Sequence, residues 1–239
     1  MEGDWLNLIE AIIFDVDGTL YNETDVKMMA ELSTIEYLHE HLKIDNELTY
    51  STFREAKKQI MHEYKGRPEA NDRNKWYCEM LKRLCIHNIV AEELCRIYWD
   101  VIYSNMNPYS DFVYVLPELQ KMYKLFVLTD ELLEIHKRKL KCLGLDYVFI
   151  KTFSAEKVGV TKPNQKIFGY AIDEIGIPKE NILMVGDNPA ADIKGGNLAG
   201  ISTAWLKRGK YYYYQQIKDE NPDIEFTNYI QLIGKIKSL

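Results

Sequence analysis

Two carboxylates directly follow an apolar run near the start of the chain. Residues 12–20 read IIFDVDGTL, so a single valine separates Asp15 from Asp17. Carboxylates placed this close repel each other unless a cation or a shared proton relieves the repulsion. The spacing therefore predicts a metal-dependent reaction centre.

Further reactive side chains follow later apolar runs or precede predicted helices. They are Thr129, Lys162, Asp187 and Asp192. If these runs are parallel strands, their carboxyl ends meet at one edge of a sheet, where ligands bind in open α/β folds. We therefore expect these groups to converge on Asp15 and Asp17.

The elements that must position these groups alternate along most of the chain. The residue patterns predict strands at 8–14, 124–129, 147–150, 181–186 and 201–206, and helices at 132–143, 163–175, 189–198 and 229–236. Strands that are apolar throughout and alternate with helices are typical of a parallel sheet covered on both faces. The sequence thus predicts an α/β fold with a Rossmann-like, doubly wound parallel sheet.

A long insert with only helical periodicity follows the first strand. Its patterns predict helices at about 25–42, 49–64, 71–84 and 91–103. We therefore predict an all-helical cap domain at 22–105 and an α/β core made of 1–21 and 106–239. The insert begins a few residues after Asp17, so it is placed to cover the reactive edge.

Composition excludes several classes of partner. The 239 residues carry a formal net charge of −6, which disfavours nucleic acid and anionic membranes as partners. No apolar stretch approaches the ~20 residues of a membrane span, and the first residues lack a signal-peptide pattern. The four cysteines lack zinc-site spacing. We expect a cytoplasmic protein, monomer or homodimer, acting on a small molecule.

The motifs together resemble those of the haloacid dehalogenase (HAD) superfamily of hydrolases, most of which are phosphatases. The resemblance rests on DVDGTL at 15–20, on Lys162-Pro163 with Ile167 and Phe168 following, and on GDNPAAD at 186–192. The helical insert after the first motif is similar to that of the subclass with a helical cap. The resemblance implies a Mg²⁺-dependent phosphatase that hydrolyses a small phosphomonoester through an aspartyl-phosphate intermediate.

The implied roles are also chemically reasonable for these residue types. Asp15 is the predicted nucleophile, because a carboxylate can attack phosphorus and divide one displacement into two. Asp17 is the predicted general acid and then base. Thr129 and Lys162 are predicted to bind the phosphoryl group and stabilise its charge.

Mg²⁺ suits a partly hydrated site whose ligands are all oxygens. Its predicted protein ligands are Asp15, the backbone carbonyl of Asp17, Asp187, and Asp192 either directly or through water. Without such a cation, the carboxylates would repel a phosphate dianion.

The remaining predicted substrate contacts have competing explanations. Asp130 could touch the substrate or cap the next helix, and Glu131 is expected to add bulk and negative charge near the entrance. Arg67 and Arg73, in the insert, could bind a second anionic group. Alternatively, they form a solvated, charge-balanced face with Glu69 and Asp72.

Three other functions stay open for this family. A 2-haloacid dehalogenase is disfavoured by Asp17, because a leaving halide needs no proton. A phosphomutase is disfavoured because residues 21–25 lack the histidine that sugar phosphomutases of this fold carry there. A non-catalytic binding relative would need neither Asp15 nor Asp17. The substrate could be a sugar phosphate, phosphoglycolate, a nucleoside monophosphate or a triose phosphate.

Overall fold

The computed structural model describes residues 9–238, which form two compact units. Within this range, one unit contains the residues up to Glu23 and from Asn107 onward, and the other is Thr24–Met106. The predicted start of the first strand at residue 8 lies outside the described residues. Within 9–238, no helix is both long and apolar enough to cross a membrane.

The first unit is built on a six-stranded parallel sheet. Its strands are β1 Ala11–Phe14, β2 Lys124–Thr129, β3 Lys151–Ser154, β4 Ile182–Gly186, β5 Ser202–Leu206 and β6 Ile224–Phe226. Their order is β3-β2-β1-β4-β5-β6, and every neighbouring pair is parallel. Strand order reverses between β1 and β4, which is where ligands bind in doubly wound folds.

The helices of the described chain, in order, are α1 Glu23–Leu42, α2 Asn46–Glu63, α3 Arg73–Arg83, α4 Ala91–Asn105, α5 Ser110–Met122, α6 Leu133–Cys142, α7 Ala155–Val158, α8 Gln165–Ile175, α9 Lys194–Ala199 and α10 Tyr229–Ile236. The helices α1 to α4 make up most of the second unit.

Helices cover both faces of the sheet. On one face, Phe168 of α8 packs into a buried cluster with Phe126 and Phe153 of the strands. On the other, the ring of Phe14 meets Phe112 of α5 at 5.6 Å between centroids, and Phe112 meets Tyr229 of α10 at 5.0 Å. Burial on both faces explains why the strands are apolar throughout. The predicted Rossmann-like α/β fold is confirmed.

One predicted strand is wrong. Residues 147–150 lie in a loop, and β3 begins at Lys151 instead. The run at 147–150 is apolar in type, but its Tyr147 is 93% exposed rather than buried in the sheet. In β3, by contrast, Phe153 is buried and stacks on Phe126 of the neighbouring strand β2. Pairing with β2 therefore sets the strand four residues later.

Two smaller features also differ from the sequence patterns. Helix α8 begins at Gln165 rather than at Pro163, because the side chain of Asn164 caps it by accepting a hydrogen bond from the backbone N–H of Lys166 at 3.0 Å. The edge strand β6 was not predicted, since only Ile224 and Phe226 are buried in it.

The helical unit has an aromatic interior that includes Arg73. This arginine, expected on a substrate-facing or solvated rim, is only 4% exposed. Its guanidinium carbon lies 4.9 Å from the ring centre of Trp76 and 4.8 Å from that of Trp99. The solvated face expected for Arg73 is therefore contradicted, because aromatic rings bury the cation. Its predicted contact with the substrate stays a prediction.

Arg67 has the surroundings that the alternative explanation foresaw. Its side chain is 56% exposed and pairs with Glu69 at 2.8 Å. Asp72 instead caps α3 by accepting a hydrogen bond from the backbone N–H of Asn74 at 2.9 Å. Charge balance with Glu69 thus accounts for Arg67 without a ligand.

We expect Arg73→Met to destabilise the protein by about 1–3 kcal/mol, because it removes desolvated cation–π contacts and the hydrogen bond to the carbonyl of Asn71. Urea unfolding followed by tryptophan fluorescence measures this. Arg67→Met is the control and should change stability by less than about 0.5 kcal/mol. A raised KM with unchanged stability in Arg73→Met would instead support substrate binding.

Candidate active site

The turn after β1 directs Asp15 and Asp17 toward different partners. The backbone N–H of Asp15 donates to the carbonyl of Val185 at 2.9 Å, which extends the β1–β4 pairing by one residue. The chain then turns at Gly18, whose φ is +88°. A Cβ at Gly18 would lie 2.4 Å from Asp187 Oδ2, so only glycine fits this close approach.

Three buried carboxylates meet at this edge of the sheet. Asp15, Asp187 and Asp192 each offer an oxygen atom, and these atoms lie within 4.8 Å of one another. Asp187 directly follows β4, and its carbonyl accepts a hydrogen bond from the indole of Trp205 at 2.9 Å. Asp192 lies on a short π-helical turn, Pro189–Ile193.

Burial is the main influence on these carboxyl groups. It raises the pKa of Asp15 to about 6; Lys162 opposes the rise, while Asp192 and Asp17 add to it. Burial also raises the pKa of Asp187 well above its usual value, and the charges of Asp15 and Asp192 raise it further. The carboxyl groups of the cluster therefore hold protons more tightly than exposed carboxyl groups do.

Lys162 supplies positive charge inside the cluster. Its Nζ donates to Asp15 Oδ1 at 2.6 Å and to Asp192 Oδ1 at 2.7 Å. Burial disfavours the charged lysine, but the carboxylates of Asp15, Asp192 and Asp130 outweigh burial and hold its pKa well above the usual value. The other oxygen of Asp192 accepts the backbone N–H of Asn188 at 3.1 Å.

One threonine hydroxyl contacts the cluster, and a second lies at the end of β2. Thr19, which the sequence reasoning missed, donates to Asp15 Oδ2 at 2.9 Å and accepts the backbone N–H of Asp187 at 3.0 Å. Its position four residues after Asp15 was the available signal. Thr129 Oγ1 accepts the backbone N–H of Glu131 at 3.1 Å. A hydroxyl can accept and donate at once, so Thr129 can still donate to a phosphoryl oxygen.

Asp130 does not cap the next helix. Its Oδ1 accepts the backbone N–H of Lys162 at 2.9 Å, while Leu132 occupies the N-cap position of α6. Burial raises the pKa of Asp130 to about 6, and Lys162 opposes the rise. The capping alternative is therefore wrong, and Asp130 instead fixes the segment that carries Lys162.

Asp17 has partners of its own that sequence reasoning did not foresee. Lys139 Nζ donates to both of its carboxylate oxygens, at 2.6 and 2.7 Å, and the Tyr21 hydroxyl donates to Oδ1. Glu131 was expected near an entrance, but it is buried with its carboxylate 3.4 Å from Lys139 Nζ. The sequence feature that could have indicated this contact is the place of Lys139 on the apolar face of α6, beside Leu140.

The cluster fits a divalent cation. The oxygens of Asp15, Asp187 and Asp192 form an all-oxygen set of the kind that Mg²⁺ prefers. Gly18 and Gly186 both lack the Cβ that would collide with a cluster carboxylate. Because Lys162 and Asn188 engage both oxygens of Asp192, this residue suits orienting Lys162 better than direct ligation.

Comparison with known proteins identifies the family. The model of the haloacid dehalogenase-like hydrolases matches residues 12–206. The chain belongs to this family. It is 29% identical over 237 residues to a Methanopyrus kandleri protein named glyceraldehyde 3-phosphate phosphatase, covering 97% of this chain and 99% of the relative. The predicted membership of the HAD hydrolases is confirmed.

Solved structures of HAD hydrolases share the fold. The magnesium-bound hydrolase YfnB from Bacillus subtilis superposes with a TM-score of 0.71 at 21% identity, covering 96% of this chain and 99% of that one. A 2-haloacid dehalogenase from Pseudomonas syringae has a TM-score of 0.73 at 21% identity, covering 97% and 99%. At these identities the structures establish the fold alone.

We expect Mg²⁺ to stabilise the protein more strongly at pH 8 than at pH 5. The raised pKa values mean that the folded carboxyl groups hold protons tightly, so their contribution to stability, present below about pH 4, is lost as pH rises through about 6. Mg²⁺ binds the deprotonated form. At about 100 times Kd it should add about 2.7 kcal/mol, or about 5–10 °C in Tm.

Differential scanning fluorimetry with and without Mg²⁺ at both pH values measures the effect. Asp187→Asn should lose the Mg²⁺-dependent shift in Tm. Asp173→Asn, which changes an exposed carboxylate of α8, should keep it. An equal shift in Tm for wild type and Asp187→Asn would show that Mg²⁺ binds elsewhere.

Proposed function

We propose that this protein is a Mg²⁺-dependent phosphatase that hydrolyses a small phosphomonoester through an aspartyl-phosphate on Asp15. One observation carries the proposal. Two carboxylates within a single turn have separate surroundings, since Asp15 lies in the acidic cluster with Lys162 while Asp17 pairs with Lys139. Differing environments are how neighbouring carboxylates acquire different roles in catalysis.

In the first half-reaction, an oxygen of Asp15 attacks the phosphorus. The bond from phosphorus to the leaving oxygen breaks, and Asp17 gives that oxygen its proton. Lys162 remains beside Asp15 and balances the charge of the phosphoryl group. Thr129 donates a hydrogen bond to a phosphoryl oxygen. Such fixed donors account for much of the catalysis of phosphoryl transfer.

In the second half-reaction, water attacks the phosphorus of the acyl phosphate. Asp17, now a carboxylate, takes a proton from that water, and the bond between phosphorus and Asp15 breaks. Phosphate leaves and Asp15 returns to its starting form. Mg²⁺, when held by Asp15, Asp187 and the carbonyl of Asp17, would stabilise negative charge on the phosphoryl oxygens.

The 2-haloacid dehalogenase alternative explains fewer of the contacts around Asp17. Displacement of halide requires no proton donor, so the lysine and tyrosine contacts to Asp17 would have no use in that first step. Assays on p-nitrophenyl phosphate and on 2-chloropropionate separate the two functions directly. Release of chloride without phosphatase activity would favour the dehalogenase.

For the substrate, we propose a triose phosphate or a similar small phosphorylated metabolite. The support is the name of the Methanopyrus kandleri relative, glyceraldehyde 3-phosphate phosphatase, which aligns over nearly the whole chain. Phosphate release from glyceraldehyde 3-phosphate, phosphoglycolate, a sugar phosphate and a nucleoside monophosphate, compared by kcat/KM, tests this proposal. A preference for a nucleoside monophosphate would overturn the triose assignment.

We expect Asp15→Asn to lower phosphatase activity by at least about 10³-fold, because an amide cannot serve as the nucleophile. Its circular dichroism spectrum should match that of wild type, since the amide has the shape of the carboxyl group. Asp173→Asn, in exposed surroundings on α8, is the matched control and should retain full activity. Full activity in Asp15→Asn would contradict the mechanism.

We also expect EDTA to abolish hydrolysis of p-nitrophenyl phosphate and added Mg²⁺ to restore it, because the acidic cluster would otherwise repel the phosphate dianion. Continuous release of p-nitrophenol measures both steps. Activity that survives prolonged chelation would exclude a metal requirement.

A further inference from the structure

A lysine is buried at a helix position whose pattern calls for an apolar residue. Lys139 is 1% exposed on the inner face of α6, between His136 and Leu140. Lysines are almost never fully buried unless they are paired. Here the ammonium group reaches both oxygens of Asp17, which account for two of its three hydrogen-bond donors.

Two further residues complete what we call the Lys139 cluster, consisting of Tyr21, Glu131 and Lys139. The hydroxyl of the fully buried Tyr21 donates to Asp17 Oδ1. The carboxylate of Glu131 lies 3.4 Å from the ammonium group of Lys139. The carboxylates of Asp17 and Glu131 thus hold the lysine in place, and the Tyr21 hydroxyl helps to hold Asp17.

Glu131 is itself held in place at the end of β2. Its backbone N–H donates to Thr129 Oγ1 at 3.1 Å, and its carbonyl accepts the hydroxyl of Ser154, at the end of β3, at 2.8 Å. Two neighbouring strands therefore set the position of this carboxylate. It provides a fixed negative charge beside Lys139.

The burial of Lys139 argues against a direct contact between this lysine and the substrate. The side chain of Asp17 is 21% exposed, whereas that of Lys139 is 1% exposed. The lysine thus contacts Asp17 from within the protein and leaves the open side of the carboxyl group to substrate and water. Lys139 itself offers no surface to a ligand.

We propose that Lys139, held by Glu131, is a positioning residue that fixes the carboxyl group of Asp17 for proton transfer. The inference rests on the proposed function, in which Asp17 protonates the leaving group. The contacts suit both states of Asp17. The carboxylate accepts from Lys139 at both oxygens, and in the protonated group Oδ1 can still accept from Lys139 and Tyr21 while Oδ2 carries the proton. Misplacing a reacting group by about 1 Å can cost about 10²-fold in rate.

Two substrates of similar size distinguish positioning of Asp17 from general structural support. The alkoxide that leaves benzyl phosphate must be protonated, whereas p-nitrophenolate leaves p-nitrophenyl phosphate without a proton. The parameter kcat/KM covers the reaction only as far as release of this group. Misplacement of Asp17 therefore lowers kcat/KM selectively for benzyl phosphate, whereas a damaged fold lowers kcat/KM for both substrates alike.

We expect Lys139→Met to raise the ratio of kcat/KM for p-nitrophenyl phosphate over benzyl phosphate by about 10- to 100-fold. Glu131→Gln, which keeps the shape of the side chain, should raise the ratio by a smaller factor and serves if Lys139→Met does not fold. Lys137→Met, on the exposed side of the same helix, should leave the ratio unchanged. In an Asp17→Asn background, Lys139→Met should change the ratio no further.

Equal losses on the two substrates, or an unchanged ratio in both Lys139→Met and Glu131→Gln, would overturn the positioning role while leaving the proposed function intact. A further change of the ratio in the Asp17→Asn background would also overturn it. If wild-type protein with Mg²⁺ hydrolyses neither substrate, the proposed function fails, and the role of Lys139 fails with it.

Discussion

The structure depends on how three buried carboxylates share one edge of a parallel sheet. Asp15, Asp187 and Asp192 bring their oxygens within 4.8 Å, and within the described contacts one lysine, Lys162, donates to two of them. Removing such charges from water is costly unless opposite charge compensates. Gly18 and Gly186 give the carboxylates room but no charge. The protein therefore keeps an unfavourable group of buried carboxylates at the point where the strand order reverses, between β1 and β4. A divalent cation is the partner that would balance their charge.

A second feature is that two buried lysines contact different carboxylates. Lys162 approaches Asp15 from the segment before α8, and Lys139 approaches Asp17 from α6. The turn at Gly18 makes these separate contacts possible, because it lets two carboxylates only two residues apart face different surroundings. A strand that continued straight would place both on the same side. In the proposed mechanism, the backbone turn, rather than residue type alone, would allow one carboxylate to act as nucleophile and the other to move protons.

Much of the fold and the acidic cluster could be predicted from the sequence because their signals are local. An apolar strand that ends in Asp15 or Asp187 places its carboxylate at the sheet edge wherever the other strands lie. The contact of Lys139 with Asp17 could not be predicted in this way, since it depends on the rotation of α6 and joins residues 122 positions apart. The burial of Arg73 among tryptophan rings likewise depends on how α3 and α4 pack. The strand predicted at 147–150 failed because pairing with β2, which is a long-range contact, decides where β3 begins.

The most direct test of the central claim is to trap the phosphorylated enzyme. Asp17→Asn should still accept a phosphoryl group from p-nitrophenyl phosphate, whose leaving group needs no proton, but it lacks the base that activates water for the second displacement. Intact-mass spectrometry after mixing this variant with p-nitrophenyl phosphate and Mg²⁺ should show one added phosphoryl group, which peptide mapping places on Asp15. An unmodified protein that continues to release p-nitrophenol, or a phosphoryl group on another residue, would contradict the account.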